Sequence, residues 1–499
     1  MKKKSLLITL FFVLMAAIFS LFASCSGRET VNSNELRFGF TTEPATFDPL
    51  NPGNTAEGRS ILFDVFEGLV KPGTDGTLLP CIAETWTIEQ RGLVYNFTLR
   101  DGIRFHDGSL LSAADVKFSL DKAAASGFNG LDNIEEVKIL AENQISVILK
   151  TPDTEYLPYL TVGITKAGHH DRENNIIGTG PFFIESYTPQ INLILRKFDE
   201  YWRKDIPRLD TITILFYANY DAMMTALRGG GIDGTRITGS MAAQLDQRQF
   251  DIFDSYSAAV QLLALNNAAA PFDDIRVRQA LNYGIDVQNI IDAAFFGMGK
   301  PSGSPLIPGL TVYYDDSLSY PYNTNAARTL LAQAGYDDNN RLSFEITVPS
   351  NFTMHVDTAQ VIADQLEKLG VNVTIRLVDW PTWLSDVYRG RQYQATVISL
   401  DSSNISPRSF LSRYRTGDGG NFINFSSAAF DRIYDGILAE TDEEARIQLY
   451  KQAQRAITED AASVFLQDIY YFKAFRGGAF GNVLNYPLYV IDFASISHL

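Results

Sequence analysis

An α/β protein of two or three domains is what this sequence predicts, on three observations. Its 499 residues exceed what a single hydrophobic core usually sustains. Strand-like alternation and capped helical patterns intermix along it with no internal repeat. Two β-branched apolar runs, Leu342–Val348 and Val371–Leu377, flank a helical pattern from Asp357 to Leu369 that Gly370 stops. Such a β-α-β unit calls for a parallel sheet, because parallel neighbours need a crossover between them.

The elements follow in chain order. Lys2, Lys3 and Lys4 precede an apolar run from Leu6 to Ala23 that only Thr9 and Ser20 interrupt, the layout of a secretory leader. Ala23-Ser24-Cys25 then resembles the lipobox of bacterial lipoproteins. That resemblance implies removal of residues 1–24, a diacylglycerol on Cys25 and a further acyl chain such as palmitate on the new amine. Two or more chains are what stable anchoring requires. Residues 25–34 are the lipidated cysteine and a polar tether. Cys81 then has no partner, so no disulfide framework is expected. A first strand falls at Leu36–Phe40 and another at Tyr95–Leu99. Ser112-Ala-Ala-Asp115 is a capping box that opens a helix through about Ala125. Asp274 caps a helix through Asn282, and Ala326–Ala334 is a helix stopped by Gly335. Two later helices are expected to start at Ser427 and at Thr441, the latter with Glu444 three residues on. The apolar stretch Val464–Phe475 follows.

Several function classes are disfavoured. A net charge of −16 argues against nucleic acid as a partner. Gly229–Gly234 fits G-x-G-x-x-G, but it follows a helix end rather than a strand, so it reads as a helix stop. There is no P-loop, G-x-S-x-G or H-E-x-x-H, and His169-His170 lacks helical metal spacing. No catalytic residue, metal or cofactor is therefore assigned.

Four blocks carry a resemblance over nearly the whole chain beyond the leader. The first runs from Leu79–Trp86 through Tyr95–Gly108 to Ser112–Val116. The second is Ile177–Phe182 with Tyr201-Trp202 and Ala226–Gly230. The third is Pro271–Ala280 with Gly284–Asp286, and the fourth runs from Asn424-Phe425 through Phe430-Asp431 and Tyr450 to Glu459-Asp460. With Phe47-Asp48-Pro49, these resemble the family 5 extracytoplasmic solute-binding proteins, the oligopeptide-, dipeptide- and nickel-binding components of ABC importers. The resemblance implies a two-lobed periplasmic-binding-protein fold, type II-like with an extra appended domain. Residues 35–60, 176–265 and 472–499 would form lobe I, 61–175 the appended domain and 266–471 lobe III, with hinge crossovers near Asn266 and near Tyr471. It also implies a monomer that passes a small solute to a permease and ATPase on separate chains. The signature residues, Trp86 and Trp202 among them, are expected to build the fold rather than touch ligand.

The resemblance also points to the cleft. Peptide-binding members begin a strand with Tyr-Asp and carry Trp seven, Asp ten and Pro fourteen residues after the Tyr, the Asp meeting the peptide ammonium. From Tyr393 to Pro407 this chain keeps the spacing but has Leu400 for the Trp and Ser403 for the Asp. An enclosed ammonium without its carboxylate loses about 3–5 kcal/mol. Asp401 lies two residues earlier on the same strand face, ~6.5 Å away, and could substitute with Ser399 and Ser402 beside it. Thr42 and Glu43 are candidates from the opposite lobe. Trp380, Trp383, Tyr470 and Tyr471 are candidate aromatic walls, and Arg413 is a candidate for a carboxylate. Arg408 is expected at the surface. A peptide or peptide-sized solute is the first reading; an oligosaccharide or metal chelate in the same fold is an alternative, and an extracytoplasmic hydrolase or surface receptor is a different class.

Overall fold

The structure, a computed structural model, describes residues 34–499 apart from 52, 129, 169–175, 256–257, 403–404 and 470. The expectations for Cys25, His169, His170, Ser403 and Tyr470 lie outside the described residues.

Two sheets organise the chain. The first has seven strands in the order 250–255, 471–476, 234–238, 35–40, 211–216, 192–197 and 182–188. Glu35–Phe40 runs parallel to Gly234–Thr238, and Phe38 is buried among Phe40, Phe475 and Phe493. The second has six strands in the order 300–301, 463–468, 259–265, 395–401, 343–349 and 372–378. Its last two are parallel from Ser343↔Asn372 to Pro349↔Val378 and are joined by the helix Thr353–Glu367. The expected β-α-β unit is thus present. Its helix starts earlier than Asp357 because Phe352 makes no side-chain cap, so no polar residue marks the true start. A third, antiparallel sheet of four strands, 83–89, 94–99, 144–149 and 134–141, packs with the helix Ala113–Ala125 as the appended domain. Asp115 Oδ2 there accepts from both the N–H and the hydroxyl of Ser112.

One boundary differs from the expected one. Ala259–Leu265 pairs with Ala395–Asp401 on one side and Ser463–Asp468 on the other, so it belongs wholly to the six-stranded sheet. The first crossover therefore lies between Ser255 and Ala259, not near Asn266. Central strands bury both faces and read as continuous apolar runs, which hides where they begin. The second crossover lies between Asp468 and Tyr471, where Val464–Phe475 divides into two strands. Ser255 pairs with Tyr471 in one sheet and Val260 with Asp468 in the other, so the chain passes between the lobes twice, within 255–260 and within 468–471.

The signature blocks meet as buried knots. Glu67 is 7% exposed and accepts hydrogen bonds from Tyr201 (2.8 Å), Trp202 (3.0 Å), Thr179 (3.1 Å) and Cys81 (3.4 Å). Burial raises its carboxyl above the usual range against those four donors. His106 joins the first block to the second: its Nδ1 accepts from the Gly178 N–H and its Nε2–H donates to the Gly180 carbonyl, each at 3.1 Å. A Cβ on Gly178 would lie 2.0 Å from the Val65 carbonyl oxygen, so only glycine fits there. Arg278 likewise ties the third block to the fourth, donating to the carbonyls of Phe272, Asp460 and Ala461. Cys81 is a buried free thiol. The glycine run is a helix stop: Gly230, at φ 76°, ends the helix Tyr220–Gly229.

Two further expectations are corrected. The helix expected from Thr441 is capped by Asp442, whose carboxylate accepts from the Ala445 N–H at 2.8 Å, and spans Glu443–Glu459. Thr441 is held outside it by Glu440, which accepts from its N–H. Arg408 is not at the surface; it forms a buried pair with Asp153 of the appended domain at 2.5 Å and also donates to Tyr159.

Candidate functional site

A cavity of about 810 Å³ opens between the two large sheets beside the two links. That is the size range of small-molecule sites, which run to about 1,000 Å³. Ala258, Ala259 and Ile469, at the two links, form part of its lining.

The second lobe supplies an aromatic wall and a polar corner. Asp379 accepts from the Thr382 N–H at 2.8 Å and opens a turn that carries Trp380, followed by a wide helical turn from Trp383 to Arg389. The two indoles stack at 5.0 Å with 5° between planes. Trp383 is 2% exposed and donates its Nε1–H to Thr396 at 3.0 Å, whereas Trp380 is half-buried and meets Phe352 edge to face. The polar corner is the end of the strand Ala395–Asp401. Ser399, Leu400, Asp401 and Ser402 line the cavity there; Asp401 is exposed, and the buried Ser399 hydroxyl has no partner among the described residues. Arg413, from the short helical segment Ser412–Tyr414, reaches the same cavity. Its Nη1 is buried without a hydrogen-bond partner, and no carboxylate lies within 4.0 Å of it among the described residues.

Under this corner lies a neutral polar network. His355 is buried, which pushes its imidazole down to about 4, and its Nδ1 accepts from Gln261 at 3.0 Å. Gln261 in turn accepts from Gln467 at 2.9 Å. These groups hold the strand ends in place without adding charge.

The first lobe contributes Glu57, Arg59, Phe63, Tyr220, Tyr471 and Tyr489. Tyr471 and Tyr489 pack edge to face at 5.6 Å, and the Arg236 guanidinium lies 3.6 Å over the Tyr489 ring. The Tyr489 hydroxyl donates to Glu57 at 3.2 Å. Lys473 is buried behind this wall, where desolvation and the Arg236 charge push its ammonium down to about 7. Thr42 and Glu43 do not line the cavity: the Glu43 carboxylate accepts from Tyr187 at 2.5 Å and from the Gln190 N–H at 2.9 Å within its own lobe. Among the described residues no three His, Cys, Asp or Glu side chains converge to hold a metal ion, and no helix is long and apolar enough to cross a membrane.

The family profile described as "Bacterial extracellular solute-binding proteins, family 5 Middle" matches residues 77–422. The chain belongs to this family. A family 5 solute-binding protein of this length has curated relatives along nearly its whole extent. It is 26% identical to Heme-binding protein A of Haemophilus influenzae over 88% of each chain. It is 25% identical to the Dipeptide-binding protein of Escherichia coli, covering 94% of this chain and 95% of that protein. Among solved structures, the periplasmic murein tripeptide-binding protein MppA in its unliganded open form superposes with a TM-score of 0.84 at 21% identity, over 94% of this chain and 98% of that one. That likeness shows the two-lobed fold.

Within this family 5 cleft the structure brings together Trp380, Trp383, Ser399, Leu400, Asp401, Ser402, Arg413 and Tyr471. Sequence reasoning missed Glu57, Tyr220, His355, Phe352 and Tyr489. None of them sits in a local pattern that marks a site, since each reaches the cavity only through the packing of distant segments. The helix cap at Thr55, whose side chain accepts from the Gly58 N–H, was a readable signal for the segment that carries Glu57.

Proposed function

We propose that this family 5 solute-binding protein is the receptor of an ABC importer, tethered outside the cytoplasmic membrane through lipid on Cys25, and that its lobes close on a peptide or peptide-sized solute. The observation that carries this reading is the cavity walled by both lobes where the chain crosses twice between them. Rotation about those two links would bring Trp380 and Arg413 toward Tyr220 and Tyr489 and bury the solute from water. A permease on a separate chain then distinguishes closed from open protein by contacts that differ between the two states. In this reading Asp401, Ser399, Ser402 and Arg413 orient the polar part of the solute and Trp380 its apolar part, while Trp383 backs Trp380. Relatives named for dipeptide, glutathione and heme binding support a wide range of solutes on one scaffold.

Native mass spectrometry on soluble protein beginning at Ser26 tests the reading. The expected result is a retained solute, with X-ray scattering showing a smaller radius of gyration when it is bound. Protein that retains nothing, and that does not contract with peptides, glutathione or hemin, would sink the proposal. Acyl labelling in cells that survives Cys25→Ser would refute the tether separately.

A further inference from the structure

We infer that the solute is a ring-bearing acid: a flat aromatic ring held between the indole wall of one lobe and the tyrosine wall of the other, linked to an anionic group that Arg413 holds. The inference rests on the solute-binding reading and names the chemistry of the same cavity.

Aromatic side chains line both sides of the cleft. Trp380 stands on the second lobe, stiffened by its stack on Trp383 at 5.0 Å, and Tyr220 and Tyr489 stand on the first. Tyr220 is 39% exposed, and Tyr489 is fixed in orientation by the Arg236 guanidinium behind it and by its bond to Glu57. Rings held rigidly on two walls gain most from a third flat ring between them, since little side-chain freedom remains to be lost. At the polar corner Arg413 carries an unpartnered, buried Nη1 among the described residues, a cost that an anionic ligand group would relieve. The other arginine of the lining, Arg59, already donates to the Asn54 carbonyl at 2.7 Å.

The distribution of polarity separates this chemistry from a sugar. A saccharide carries hydroxyls around its whole edge, each needing a partner once buried. In the second lobe Ser399, Asp401, Ser402 and Arg413 lie together, with Tyr388 and with His355, which is already bonded to Gln261; in the first lobe Glu57 is bonded to Tyr489 and Arg59 to Asn54, and Met354, Leu384, Leu488 and Val490 line other parts of the cavity. A ligand polar at one end and flat and apolar at the other matches that division.

Calorimetric titration of protein stripped of endogenous solute tests the inference with Ala-Phe-Ala, Ala-Ala-Ala, Ala-Phe-Ala amide, indole-3-acetate and maltotriose. Ala-Phe-Ala should bind about threefold to tenfold more tightly than Ala-Ala-Ala. Arg413→Gln should weaken the acid at least about tenfold while leaving the amide unchanged. Trp380→Leu should abolish the preference for the ring with an unchanged circular dichroism spectrum. Indole-3-acetate binding would show that ring and acid suffice; binding confined to Ala-Phe-Ala would place them within a peptide, and either supports the inference. Equal affinity for the two free tripeptides, tighter binding of maltotriose, or equal loss for acid and amide in Arg413→Gln would overturn it while leaving solute capture standing. Absence of binding to every probe overturns it too. Only protein that retains no solute in the mass spectrometric experiment and does not contract with peptides, glutathione or hemin also removes the reading beneath it.

Discussion

His106 shows how a single side chain sets a pH response. Its imidazole is held neutral between Gly178 and Gly180, and burial pushes it down to about 4 from an ordinary 6.5. Between those values the unfolded chain binds a proton that the folded chain refuses, so stability is full above pH 6.5 and is lost as pH falls toward 4. The loss is on the order of 3 kcal/mol. Urea titrations at pH 7 and pH 4.5 should show this difference together with a like one from the buried His355, and His106→Gln should remove about half of the two imidazoles' joint effect. The tryptophan pair gives a second residue-scale contrast. Trp383→Ala empties a buried, hydrogen-bonded site and should cost about 3–5 kcal/mol in denaturant unfolding. Trp380→Ala, at a half-buried position, should cost less than half as much while removing more of the solute affinity.

At the scale of elements, the helix Glu443–Glu459 tests which residue starts it. Asp442→Ala should destabilise the protein by about 1 kcal/mol, whereas Thr441→Ala should be close to neutral, as thermal unfolding can measure. Elements with a local stop or cap were legible from sequence. Ser112, Asp274, Ser427, Gly230 and Gly370 each act on neighbours within a few residues, so their chemistry is written in adjacent letters. The start of the helix at Thr353 and the start of the strand at Ala259 were not, because one lacks a side-chain cap and the other is buried on both faces. The site divided in the same way. The end of the strand Ala395–Asp401 followed from the resemblance and its spacing. Glu43 instead satisfies Tyr187 and Gln190, and Tyr489 becomes part of the wall only when the C-terminal segment folds back over Ser60 and Asp64.

For the molecule as a whole, the appended domain is fastened to the second lobe as well as continuing the chain of the first. Arg408 pairs with Asp153, Arg446 with Glu155 at 3.1 Å, and the Tyr450 hydroxyl donates to Glu155. Asp153 and Arg408 keep only 14% and 13% of their side chains exposed, so removing one partner strands a buried charge. Arg408→Ala should therefore cost about 3–5 kcal/mol, and a double-mutant cycle with Asp153→Ala should recover a large part of it. The order of strands in the seven-stranded sheet has one more consequence. Tyr471–Arg476 sits between 250–255 and 234–238, so a chain made from its N-terminus cannot complete that sheet until residue 476 of its 499 is available. The lobe that begins first is the one that finishes last, so the seven-stranded sheet is closed by contacts between the two ends of the chain.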